Sequence, residues 1–117
     1  MQWLMPWEAV ADLDWAPEKL QAFCEGWERQ LSRETGLEHP LSGQGAVLIA
    51  RHFGTDDALF RLADGRVAEA HLSWGRQPRF ETSGPFTGVF PTLDAWARER
   101  MLLWHQEWLS LENEPPG

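Results

Sequence analysis

The sequence predicts one α+β domain over residues 1–117: an antiparallel sheet of three to four strands, a β-meander, with N- and C-terminal helices packed on one of its faces. Three observations lead there. Apolar residues recur with helical period in two stretches, one in the first third of the chain and one near its end. Short apolar runs separated by turn residues fill the middle. The connections between those runs are short, which favours an antiparallel meander over crossovers. A chain of 117 residues, 43% of them apolar, is the size and composition of one globular domain.

Residues 1–16 are ambiguous. Trp3, Trp7, Val10 and Leu13 fall at helical spacing, and Pro6 suits the opening of a short helix. Pro17 starts the first clear helix, expected over about 17–35. Its stripe is Leu20, Phe23, Cys24, Trp27 and Leu31, and Gly36 is a fitting stop. After a polar connection, Ala46 to Phe53 reads as a buried strand, Ala58 to Ala63 as a second and Arg66 to Trp74 as a third.

Asp64-Gly65 predicts a two-residue hairpin loop, because both central positions of such a turn need positive φ. That loop would set Ala63 opposite Arg66, Leu62 opposite Val67 and Phe60 opposite Glu69. Along the third strand Ala68, Ala70, Leu72 and Trp74 share one face, which reads as the core face. Val67, Glu69, His71 and Ser73 share the other, which is only half polar. Pro78, Pro85 and Pro91 argue against a long central strand over 75–91, leaving a short edge strand near Thr87 to Phe90. Thr92 is a good N-cap for a helix over about 93–111, whose stripe is Leu93, Trp96, Ala97, Met101, Trp104, Trp108 and Leu111.

Composition bounds the function. Ten basic against eighteen acidic residues give a net charge of −8. Phosphate-backbone binding depends on clustered cations, so the balance argues against nucleic acid and against anionic membranes. It suits solubility or a basic protein partner. No apolar run reaches a membrane span, and the N-terminus has no secretory pattern, so a cytoplasmic protein is expected. Cys24 is the one cysteine, which leaves no internal disulfide framework. Eight tryptophans and no tyrosine suit both a large core and an interface hot spot.

Few residues suggest chemistry. His39, His52, His71 and His105 show no metal-ligand spacing, and no serine sits in a nucleophile elbow. Neither a metal nor another cofactor is expected, and no catalytic residue is assigned. Cys24 lies on an apolar stripe, where thiols are packing groups. Two residue sets remain. Asp56, Asp57, Trp74, Arg76, Arg79, Phe80 and Phe86 have the charge and aromatic content of a partner-binding surface. The plain alternative is that the phenylalanines anchor their own loop. Arg51, Glu69 and His71, beside Trp74, are candidates for a small-ligand pocket. For Glu69 and His71 the plain alternative is a partly covered strand face.

The middle of the chain resembles a pattern in small bacterial α+β proteins of unassigned activity. The residues that carry it are His39-Pro40-Leu41, Ile49-Ala50-Arg51, Asp56-Asp57-Ala58-Leu59-Phe60, Asp64-Gly65-Arg66-Val67-Ala68, His71-Leu72-Ser73-Trp74 and Leu93-Asp94-Ala95-Trp96. Ser73 stands where look-alikes often carry Thr. The resemblance implies no catalytic residue. In size and acidity such proteins are similar to immunity proteins that neutralise bacterial toxins. The sequence therefore favours a non-enzymatic protein-binding module, immunity-like or an adaptor, for a basic partner. A small-ligand binder or minor enzyme with a pocket near His71, and a homodimer, are the alternatives.

Overall fold

The structure is a computed structural model that describes residues 1–35, 41–74 and 86–112. Its centre is a five-stranded antiparallel sheet in chain order: β1 (Trp7–Ala9), β2 (Val47–His52), β3 (Asp57–Arg61), β4 (Val67–His71) and β5 (Phe86–Phe90). The meander is as expected, with one strand more. The added strand is β1, in the stretch whose spacing suggested a helix. Trp7 pairs with His52 and Ala9 with Ala50, while a 3-10 turn follows at Val10–Asp12. Pairing with β2 buries Trp7 and Ala9 on one side, a tertiary gain that outweighs local spacing.

Helix α1 (Pro17–Glu34) opens with Pro17 in its first turn. It ends where the Thr35 amide donates to the Leu31 carbonyl at 3.1 Å. The expected stop, Gly36, lies outside the described residues. At the other end, the Thr92 hydroxyl accepts the Ala95 amide at 3.0 Å and caps α2 (Leu93–Trp96). A π-helical turn, Ala97–Met101, then runs into α3 (Leu102–Glu112) with helical backbone at both junctions.

The two helical elements do not share a face. Trp27 and Leu31 of α1 pack with Leu48, Ala58, Phe60, Ala68, Ala70 and Leu72. Trp96 and Met101 pack with Trp7, Ala50, Leu59 and Val67 on the opposite side. The layers are therefore helix, sheet, helix, which corrects the expected one-sided packing. The cause lies in the central strands: Ala58-Leu59-Phe60 and Val67-Ala68 are buried on both faces, so one helical layer cannot cover them.

Two one-residue adjustments set which side chain faces which layer. Between β3 and β4 the loop has three residues, not two. The Leu62 carbonyl accepts the Gly65 amide at 3.0 Å, and the Leu62 amide donates to Arg66 at 2.8 Å. Gly65 has φ +93°, so a turn is followed by one left-handed residue. The Asp64 carboxylate stabilises this form by accepting the Arg66 amide at 3.1 Å. The register is consequently Phe60 opposite Ala68 and Leu59 opposite Glu69, one residue from the expected pairing. In β2 a bulge between Leu48 and Ala50 sends these two residues to opposite faces.

Candidate functional site

The half-polar face of β4 lies under the C-terminal helix, and Glu69 is its centre. The carboxylate is buried, and four N–H groups converge on it. Its Oε1 accepts Trp96 Nε1 at 2.9 Å and Arg100 Nε at 3.1 Å, while Oε2 accepts Arg100 Nη2 at 2.9 Å. Trp104 Nε1 is shared between the two oxygens at 3.3 and 3.2 Å. Residues four apart drift around an α-helix by about 40° per step at 3.6 residues per turn. The wider π turn between Trp96 and Trp104 opposes that drift, so three residues spaced by four can reach one carboxylate. The hydrogen bond to Glu69, helped by the charges of Glu69, Asp57 and Glu107, raises the Arg100 pKa despite partial burial.

His52 adjoins this cluster. Its ring meets Trp104 edge-on at 4.9 Å and Trp7 at 5.8 Å. Its Nδ1 accepts the Gly54 amide at 3.0 Å. Burial lowers the His52 pKa, although Asp57 and Glu69 act against the shift. The next pair along the same face is Asp57 with His71, 3.2 Å apart through Oδ1 and Nδ1. Asp57 Oδ2 also accepts the Thr55 hydroxyl at 2.6 Å. His71 is half exposed and Asp57 nearly buried.

The sequence-derived sets separate in space. Glu69 and His71 do share a face. Arg51 lies on the other one, opposite Ala58, where its guanidinium stacks 5.2 Å from the Trp15 ring and 5.1 Å from Phe23. The three residues thus line no common pocket. Of the partner-surface set, Asp56 is exposed, whereas the Asp57 carboxylate is turned into the bonds just described. Arg76, Arg79 and Phe80 lie outside the described residues. Phe86 opens β5, opposite His71.

Trp74 has an unusual support. It is a non-glycine residue at φ +59°, a backbone region that side chains disfavour. The Glu34 carboxylate, fully buried at the end of α1, holds this bend. It accepts the Ser73 amide at 2.8 Å, the Ser73 hydroxyl at 2.7 Å, the Trp74 amide at 2.9 Å and Gln30 Nε2 at 3.0 Å. Burial alone would raise the Glu34 pKa, but these hydrogen bonds together leave it lowered. The Trp74 ring stands edge-on to Trp27 at 4.9 Å. His71-Leu72-Ser73-Trp74 therefore works as a unit: His71 meets Asp57, Leu72 enters the core, and Ser73 and Trp74 fasten to Glu34.

An open groove of 740 Å³ runs along the outer helix, and its lining includes Arg100, Leu103, Trp104, Glu107, Ser110 and Leu111. Leu103 and Leu111 are 53% and 67% exposed, and Leu102 and Leu109 are also exposed on this helix. Sequence reasoning missed Glu34, Trp96, Arg100 and the exposed leucines as parts of a site. The spacing of Trp96, Arg100 and Trp104 was the available signal, but an apolar stripe has the same period. Among the described residues no three His, Cys, Asp or Glu side chains converge as metal ligands, and no helix is long and apolar enough to cross a membrane. No protein-family model, curated protein or solved structure matches the chain.

Proposed function

We propose that the chain is a non-enzymatic protein-binding module whose docking surface is the outer side of α3. The observation that carries this reading is the set of exposed leucines around the groove. Leu103 and Leu111 stand free on a helix that Trp104 already anchors to the sheet. Exposed apolar side chains rimmed by Arg100 and Glu107 have the make-up of an interface. The net charge of −8 favours a basic partner, as in an immunity-like or adaptor protein. The carboxylate best placed for acid–base work, Glu69, is saturated with donors and acts as a brace.

The test is affinity capture from the native organism with the wild-type chain and with Leu103→Asp and Leu111→Asp. One stoichiometric basic protein should co-elute with the wild type, leave in high salt and be lost with either variant. Retention of that protein by both variants would place the docking surface elsewhere.

One observation favours a second reading, a small-ligand site or minor enzyme at His71. Its Nδ1 is tied to a nearly buried carboxylate while the ring is half exposed, an arrangement that orients the other ring nitrogen toward a ligand. Ligand-induced shifts of the His71 ring signals in NMR, lost in Asp57→Asn, are the expected signature.

A further inference from the structure

We infer that β5 is a self-pairing edge, through which two copies of the chain join their sheets antiparallel about a two-fold axis at Gly88. Both edges of the sheet end in a strand, but they differ. β1 is three residues long and turns at once into a 3-10 segment, a short edge of the kind that discourages pairing. β5 is five residues long, Phe86-Thr87-Gly88-Val89-Phe90, with no charge and no proline inside it. Such an edge is a template for another strand.

The hydrogen-bond parity shows which groups face out. Leu62 donates to Arg66 and Leu72 to Asp56, so the even-numbered residues of β4 bond toward β3. The odd ones, Val67, Glu69 and His71, then bond toward β5, where they oppose Phe90, Gly88 and Phe86. The amides and carbonyls of Thr87 and Val89 consequently point away from the sheet, and no described residue bonds to them there. These two residues are symmetric about Gly88. A two-fold axis at Gly88 sets Thr87 of one copy opposite Val89 of the other, and each such pair exchanges two hydrogen bonds. An axis between two residues would mismatch the parity.

The sequence has the same symmetry. Read from either end, it gives Phe, a β-branched residue, Gly, a β-branched residue, Phe. Across the axis Gly meets Gly, while Phe pairs with Phe and Thr with Val, the aromatic and β-branched pairings that stabilise strand pairs. Val89 is already an exposed large apolar side chain. Gly88 also has a reason within one copy, since an added Cβ would lie 3.2 Å from the Phe90 ring. A strand pair this short buries less than a standard interface and makes a weak dimer. This inference does not rest on the α3 docking surface.

The test is sedimentation velocity of the full chain up to about 1 mM, the weak end of the affinity scale. The mass should rise with concentration from 13.4 kDa toward twice that value. Val89→Pro removes an outward amide and no internal bond, so it should weaken association about tenfold or more with unchanged far-UV circular dichroism. If that variant misfolds, Val89→Lys carries the same expectation. Leu103→Asp should leave association intact. The register is read in a Cys24→Ser background: T87C mixed with V89C should cross-link on oxidation better than either alone, because opposed strand residues lie within disulfide reach. A monomer at every concentration, a dimer indifferent to Val89→Pro and Val89→Lys, a dimer lost with Leu103→Asp, or cross-linking of T87C to itself alone would each overturn the inference. So would a Val89-dependent complex with a different protein and no self-association.

Discussion

Replacing Glu69 by Ala tests the brace that joins the sheet to its outer helix. The change removes the only acceptor that the described residues offer the Trp96 indole N–H, and Trp96 is fully buried. An orphaned buried donor costs about 1–3 kcal/mol. Trp104 and Arg100 lose their acceptor as well, but both are partly exposed and water replaces much of what they lose. Their share is therefore small, about 0.5–1 kcal/mol, because Arg100 and Trp104 reach water even though Glu69 itself is buried. Truncating the buried stem leaves a small void, worth about 1 kcal/mol. The sum is about 2.5–5 kcal/mol, a large part of the roughly 5–15 kcal/mol that holds a domain of this kind together. Urea unfolding followed by tryptophan emission measures it directly, with a lower midpoint at an unchanged slope. Glu69→Gln, which keeps one acceptor oxygen, should lose about half as much. A loss under about 1 kcal/mol for Glu69→Ala would refute the brace, because it would mean that Trp96 finds another partner at no cost.

Four further predictions concern single residues. Gly26→Ala should stabilise the protein by about 0.5–1 kcal/mol, since Gly26 lies inside α1 and an added methyl meets nothing within 4 Å; Gly65→Ala, at φ +93°, should instead cost about 1–2 kcal/mol, both read as denaturation midpoints. The His52 pKa is depressed on folding, so the unfolded chain binds the extra proton first: stability should fall as pH drops below about 6.5, and His52→Gln should flatten that slope in thermal melts. Glu34 is also depressed, so its contribution is present above the ordinary carboxylate range and is lost as pH falls through its lowered folded value; Glu34→Gln should remove this acid-side loss and change the Trp74 signal in near-ultraviolet circular dichroism.

Much of the fold was legible because it is written in local chemistry. Pro17 and Thr92 each start the helix they were expected to start, and Asp64-Gly65 marks the β3–β4 hairpin. What escaped depends on counting by one or on distance. A three-residue loop and a two-residue loop share the same Asp-Gly, yet they differ in which face Phe60 presents. The bulge in β2 has no glycine or proline to announce it. β1 exists only because β2, some forty residues later, is there to pair with it. The candidate site was half legible for the same reason. Glu69 and His71 show their shared face by period alone, but the partners of Glu69 come from the other end of the chain, and Asp57 reads as a surface acid until His71 is placed opposite it. Strict alternation from Leu48 would put Arg51 on the Glu69 face, and the β2 bulge turns it to the other.

The sheet also sorts the indoles. Trp3, Trp7, Trp96 and Trp104 lie in ring contact on one side, and Trp15, Trp27 and Trp74 adjoin Phe23 or one another on the other. With no tyrosine in the chain, its near-ultraviolet absorption and emission come almost entirely from these seven indoles and from Trp108, which stacks on His105 in α3. Each layer thus carries its own chromophores, separated by the thickness of the sheet. Replacing Trp108 and the tryptophans of one group by phenylalanine would leave a protein whose light reports on the opposite layer alone, so the docking of α1 and of the C-terminal helix could be timed separately during refolding.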